Sequence, residues 1–430
     1  VTRVGFVEQV RAMEVLDSRG RPTVKARVRL AGGAVGVASV PSGASTGSAE
    51  ALELRDGDAT RYGGLGCRKA VENVNEAIAG ALVGRVFADQ QELDRAMIEL
   101  DGTPNKGRLG ANAILAVSIA FARALAVAKE IPLWEQFAQV LGMGAARTLP
   151  RLTVNLFSGG KHAGEVGPAI QDVLVVPASA PTIEEGLAVV YAVYQSAAKL
   201  IRRKYGMGPL TADEGGLAPP VQTAEALLDD AVEAIGLAGL TPGRDVSICV
   251  DVATSHFYRD GRYHLTKGGA GLSSAGMIEH LARWVEKYPI VSVEDGLAEE
   301  DWANWPALRA AIGGRALVVG DDLLCTKPAR IQKAIEVGAA DTLLLKVNQI
   351  GTLSEAAEAC RLARGAGWRV TVSARSGETE DNWLADLAVG WGGDQIKVGS
   401  ITQSERLAKY NRLLEIEAET GFGVMGWPAP

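Results

Sequence analysis

The stretch Ile290-Val-Ser-Val-Glu294, followed at once by Asp295-Gly-Leu297, decides the fold. It is a short apolar run that ends in an acid. The same grammar recurs on both sides: Ser247-Ile-Cys-Val-Asp251 upstream, and Leu317-Val-Val-Gly-Asp321 followed by Asp322 downstream. Further along, Leu343-Leu-Leu-Lys346 ends in a lysine, Val370-Thr-Val-Ser-Ala-Arg375 in an arginine and Gln395-Ile-Lys397 in a lysine. Apolar runs over 172–177, 246–252, 290–294, 316–320, 342–346, 369–373 and 395–398 alternate with longer stretches of helical spacing. Strands joined by helical crossovers pair in parallel. Seven or eight such units in the later part of the chain fit a closed α/β barrel of the TIM type. A doubly wound open sheet is the alternative, but no GxGxxG follows an early strand.

In such a barrel the chemistry gathers at the C-terminal ends of the strands. Three carboxylates on consecutive strands, Asp251, Glu294 and Asp321, converge on one point and raise one another's pKa unless a cation joins them. Oxygen-only ligands favour Mg²⁺. Any one of these acids could instead cap the helix that follows it; three in succession, each after an apolar strand, favour the metal. Lys346 and Lys397 then face that metal, and a lysine whose ammonium is destabilised serves as a general base. Thr211-Ala-Asp-Glu214 precedes two glycines, which reads either as a solvated turn or as an acid held in a tight loop beside the metal.

The first third has a different texture. Alternating residues over 4–16 and 23–30, with a turn at Ser18-Arg19-Gly20, predict a strand pair, and helical spacing follows over 67–128 with a break near Asp101-Gly-Thr-Pro-Asn105. The chain of 430 residues is too long for one ordinary core, and we place an α+β capping domain at 1–135 and the barrel at 150–430. A formal net charge of −7 leaves no basic excess for nucleic acid. The four cysteines are scattered without metal-type spacing and read as reduced, buried thiols. The N-terminus has no signal-like apolar run and no stretch reads as a membrane span, so the expectation is a cytoplasmic protein with no membrane partner.

Several longer strings carry a resemblance. Pro41-Ser-Gly-Ala-Ser-Thr-Gly47, Glu53-Leu-Arg-Asp-Gly-Asp58, Gly110-Ala-Asn-Ala-Ile-Leu115, Asp213-Glu-Gly-Gly216, Ser292-Val-Glu-Asp-Gly-Leu297, Lys346-Val-Asn-Gln-Ile-Gly351 and Ser376-Gly-Glu-Thr-Glu-Asp381 stand in the order found in enolases. The chain resembles that family from Asp17 to about Asn411. The resemblance implies a capping domain and barrel, two Mg²⁺ ions, a small phosphorylated or phosphonylated carboxylate as substrate, and a homo-oligomer, either dimer or octamer. It implies Asp251, Glu294 and Asp321 as ligands of the first ion, and Ser45 as ligand of a second that arrives with substrate. By the same resemblance Lys346 is the base and Glu214 the acid, Lys397 binds near the substrate carboxylate, Arg375 and Ser376 bind phosphate, and His162 in Gly159-Gly-Lys-His-Ala-Gly164 is an active-site histidine.

The chain also departs from that pattern. Ala374 stands where the family has a histidine, Gln171-Asp172-Val173 where it has Gln-Glu-Phe, and Ser158 where it has an asparagine. Asp172 as a shortened catalytic carboxylate, with Gln171 and Ala374 lining the substrate pocket, opens space where the departing hydroxyl sits. A shift of about an ångström there can slow chemistry on the order of 10²-fold. These departures lead to the expectation of a biosynthetic paralogue resembling carboxyphosphonoenolpyruvate synthase, an enolase-like lyase or synthase of phosphinothricin-type antibiotic biosynthesis. The alternative is glycolytic enolase, which dehydrates 2-phosphoglycerate.

Overall fold

The computed structural model describes residues 5–44, 46–144, 147–160, 167–266 and 269–426. Near its start, Asp17 Oδ1 accepts the amides of Arg19 (2.8 Å) and Arg21 (2.9 Å), which closes the turn between β1 (Val7–Leu16) and β2 (Pro22–Leu30). These strands pair antiparallel, and β3 (Val35–Ser39) joins β2 on its other edge. Several helices follow, the longest of them α1 (Gln90–Asp101) and α2 (Ala111–Ala128). α2 lies on β2 and β3, and it approaches so closely that a Cβ at Gly36 would meet the Ala120 carbonyl oxygen at 1.9 Å.

α2 corrects one expectation. Its 18 residues are long and apolar enough to cross a membrane by length and composition. A helix that is apolar all round is a core helix when other elements cover it, and here the sheet and the barrel do so. Its one charged side chain, Arg123, reaches out to Asp381 (2.6 Å) and Asn382 (3.1 Å) on the barrel.

The second part is a closed barrel of eight strands. They are β4 (Arg151–Ser158), β5 (Asp172–Val176), β6 (Ser247–Asp251), β7 (Ile290–Glu294), β8 (Leu317–Gly320), β9 (Thr342–Leu345), β10 (Arg369–Ser373) and β11 (Gln395–Lys397). The α/β class is as read from the sequence, but β4 was not among the strands singled out there. All of β4 is buried although its residues alternate polar and apolar over 151–156, and it ends in Ser158 where the runs singled out mostly lead to an acid, a lysine or an arginine.

Strand direction is a second correction. Uniform parallel pairing was expected, yet β5 runs antiparallel to both β4 and β6. No α-helix is found among the described residues between β4 and β5, and antiparallel neighbours need no helical crossover. The consequence is functional. Asp172 begins its strand, but the reversal brings that beginning level with the ends of its neighbours, opposite Ser158 and Asp251.

The cap is fastened to the barrel by buried polar contacts. Ser42 and Gly377 exchange two backbone bonds of 2.8 and 2.9 Å. Lys106 pairs with Glu355 at 2.9 Å. Asp94 of α1 accepts the amide (2.9 Å) and hydroxyl (2.6 Å) of Ser354 near the start of α3 (Leu353–Gly365). All four cysteines are buried as free thiols.

Burial pushes the Asp94 carboxyl up to about 6, against the hydrogen bonds from Ser354, Ser118 and Gln90. An acid whose folded pKa is raised favours the folded state most below its ordinary value, and that contribution disappears as the pH rises through the folded value. The stability of the wild type relative to Asp94→Asn should therefore fall between about pH 4 and pH 6.5, by as much as ~3 kcal/mol. Urea unfolding of both proteins across that range measures it; a pH-independent difference would contradict the assignment.

Candidate active site

The ends of β6, β7 and β8 deliver Asp251, Glu294 and Asp321 side by side, and all three are buried. Two lysines answer them. Lys397, the last residue of β11, donates from Nζ to Asp251 Oδ2 (2.8 Å) and to Glu294 Oε2 (2.7 Å). Lys346, just beyond β9, bonds to Asp321. Burial and the like charge of Asp251 push the Glu294 carboxyl well above the carboxylate range, with Lys397 opposing. The second oxygen of that carboxylate, Oε1, is buried and has no hydrogen-bond partner.

These residues fit a hard divalent cation. The donor set is oxygen only, its charge exceeds what two lysines balance, and Glu294 Oε1 is an unsatisfied anion atom inside it. A tighter knot of acids lies beside it, where Asp295, Asp321 and Asp322 present oxygens within 4.8 Å of one another. Asp295 is the less available of these acids, because each of its two oxygens already accepts an amide, from Asp321 (2.9 Å) and Asp322 (2.8 Å). Asp251, Glu294 and Asp321 could therefore hold a cation more readily than the Asp295 knot.

Lys346 does not have the lowered pKa expected of a base. Burial, the largest single influence, pushes its ammonium down, but the Asp321 and Glu294 carboxylates together hold it above the ordinary lysine value. A depressed lysine here requires that the charge of Asp321 be taken up elsewhere.

The remaining candidates line the same mouth. Gln171, Glu214, Asp251, Lys346, Ala374, Arg375, Ser376 and Lys397 surround one small cavity of about 20 Å³. A much larger cavity, about 620 Å³, opens between β1 and the 378–382 segment without any of the three acids, so size does not mark the site. Glu214 sits in the loop before Gly215-Gly216 and accepts from Asn155 at 3.1 Å. The turn needs glycine at 215, where φ is +84° and a Cβ would meet Thr402 Oγ1 at 2.6 Å. Gln171 donates to Asp251 at 3.1 Å. Ser376 Oγ accepts from Arg19 at 3.1 Å. Ser45 and His162 lie outside the described residues.

Several partners escaped the sequence reading. Glu50, from the cap loop, holds the Arg375 guanidinium through two bonds of 3.0 and 3.1 Å, and Asn348 accepts from the same group at 2.9 Å. Gln349 donates to Asp321 at 2.8 Å. Asn348 and Gln349 stand in the quoted string that begins at Lys346, where their polarity beside a buried lysine was the available signal. Ser158 Oγ donates to Asp172 Oδ1 at 2.6 Å, both groups buried. Two of the departures noted above are thus partners of one another.

Comparison with known proteins agrees with this geometry. A family model described as the enolase N-terminal domain matches residues 7–137, and one described as the enolase C-terminal TIM barrel domain matches residues 146–425. The chain is 49% identical over 423 residues to "Enolase" of Desulfotalea psychrophila, covering 98% of this chain and 99% of that one. It is also 49% identical over 416 residues to "Enolase 1" of Methylococcus capsulatus, covering 96% and 97%. These near full-length similarities overturn the expectation of a phosphonate or antibiotic-biosynthesis paralogue, because both relatives carry the plain enolase name. The Ser158–Asp172 pair supplies a physical reason: the shorter carboxylate has a hydroxyl to meet it, so those two changes need not mark a lost step. The chain belongs to the enolase family.

Proposed function

We propose that this protein is a glycolytic enolase, which removes water from 2-phosphoglycerate to give phosphoenolpyruvate. The observation that carries the reading is the pairing of three buried strand-end carboxylates with two buried lysines at one mouth, together with two relatives named as enolases. When bound, Mg²⁺ supplies the positive charge that stabilises the negative charge developing on the substrate carboxylate. Asp251, Glu294 and Asp321 hold one ion; a second is assigned to Ser45.

The chain's own residues divide the remaining work. Lys346 Nζ takes the proton α to the carboxylate. Glu214, lining the same cavity and oriented by Asn155, gives a proton to the departing hydroxyl. Lys397 binds the carboxylate region. Arg375 and Ser376 take the phosphoryl group, the guanidinium through its forked donors. Asn348 and Glu50 fix that guanidinium before the substrate arrives.

Purified protein given 2-phosphoglycerate and Mg²⁺ should form phosphoenolpyruvate, followed by ultraviolet absorbance, at about 1–10³ per second. Absence of turnover while Mg²⁺ still binds would reject the reading. Lys346→Ala should lose exchange of the α-proton in deuterated water and lower dehydration by at least about 10²-fold; unchanged exchange would remove Lys346 from its role.

The buried Glu50–Arg375 pair yields a further expectation. Glu50→Gln leaves the guanidinium without its carboxylate and should lower stability by roughly 3 kcal/mol in urea. Inorganic phosphate should then stabilise the variant more than it stabilises the wild type. Equal stabilisation would argue against phosphate binding at Arg375.

A further inference from the structure

Asp295 follows Glu294 directly and is buried, and the backbone there takes a left-handed conformation with φ of +44°. That region is unfavourable for any residue except glycine, and Asp and Asn tolerate it best. Such strain persists where surrounding bonds over-determine it, and here they do. The Asp295 amide donates to the Val319 carbonyl at 3.0 Å. Its carbonyl accepts the Thr254 amide (3.2 Å) and the Thr254 hydroxyl (2.9 Å). Its carboxylate accepts the amides of Asp321 (2.9 Å) and Asp322 (2.8 Å).

Those partners lie on three chain segments. Thr254 is three residues beyond Asp251, the Asp321 amide begins the turn after β8, and Asp295 itself adjoins Glu294. One residue therefore ties together the ends of the three strands that carry the cation-holding carboxylates. We infer that Asp295 is a positioning residue for the metal: it sets the spacing of Asp251, Glu294 and Asp321 without contacting the ion. The inference rests on the proposed Mg²⁺-dependent reading of the same site. It also gives a use to a carboxylate that would otherwise add charge to a crowded acidic mouth, since both of its oxygens are spent on amides that have no other partner in the turn.

The conservative test is Asp295→Asn. Asparagine keeps the left-handed backbone and one acceptor oxygen, but its amide group faces an N–H donor in place of the second oxygen. Outer-shell losses of this kind typically weaken metal binding by about 10–100-fold. Calorimetric titration with Mg²⁺ alone should show an affinity at least about tenfold below wild type. The Mg²⁺ concentration for half-maximal rate should rise in parallel, with kcat at saturating Mg²⁺ held within about threefold. Asp394→Asn is the structural control. Asp394 is also buried and accepts the Val370 amide (2.8 Å), but it sits before β11, at the opposite end of that strand from Lys397. That variant should lower stability and leave Mg²⁺ affinity unchanged.

If Asp295→Asn does not fold, Thr254→Val decides the question, because it removes only the hydroxyl donated to the Asp295 carbonyl; a loss of affinity of about threefold or more is expected. A folded Asp295→Asn that binds Mg²⁺ within about twofold of wild type, or a Thr254→Val that does so when the former is unfolded, overturns the inference. A wild type that binds no Mg²⁺ overturns the underlying functional reading as well, so the two failures are distinguishable.

Discussion

Like charges held close together in a dry place are the constraint on which the rest of this molecule depends. Asp251, Glu294 and Asp321 meet at the mouth of the barrel, all buried. Their repulsion has to be answered by cations or by protons. The protein answers with Lys397 bridging two of them and Lys346 on the third. It then spends the neighbouring acid, Asp295, on backbone amides. Burying an ion pair brings little net stability compared with apolar packing. The arrangement is therefore better explained by the chemistry it permits than by the fold it supports.

The same constraint explains the cap. A barrel mouth lined with unlike charges needs to be closed from water for its electrostatics to act at full strength. The cap loop contributes Glu50 to Arg375, and the Ser42–Gly377 backbone exchange fixes the loop base to the strand ends. Behind that loop a cavity of about 270 Å³ is lined by Gly43, Thr46, Gly47 and Glu50. Beyond Gly47 the chain is held to the barrel again, where Ser48 donates to Glu299 (3.0 and 3.1 Å) and Lys327 donates to the Ala49 carbonyl (3.4 Å).

Much of the fold was legible because the strand ends carry their chemistry in plain order. An apolar run followed by an acid, repeated three times, marks both a strand and the direction in which it points. What was not legible had physical reasons. β4 alternates over 151–156 but ends in Ser158, with no acid or lysine there to draw the eye, and polar residues such as Arg151 and Asn155 are buried with the rest. The reversal of β5 leaves no trace in a pattern of period two, which reads the same in both directions. The apolar helix α2 looks the same in composition whether a sheet or a bilayer covers it. Among the candidate site residues, those at strand ends could be named. Their holders Glu50, Asn155, Asn348 and Gln349 come from three different stretches, and some partners are distant in sequence, such as the Glu50–Arg375 separation of 325 residues.

The lysine and the departures teach a related point about context. A buried lysine was expected to be easily deprotonated, but desolvation is only one side of the balance, and the neighbouring Asp321 and Glu294 carboxylates together tip it the other way. In the same way, Asp172 read alone is a carboxylate that has lost reach. Read with Ser158 opposite it across an antiparallel pair, it is one half of a buried hydrogen bond of 2.6 Å. The reversed strand that brings Asp172 to the mouth also brings its compensating partner there. Because residues facing each other across paired strands couple in energy, such changes have to be weighed as a pair. The inference from clustered departures to altered chemistry fails here for that reason: clustering in space is also what compensation requires.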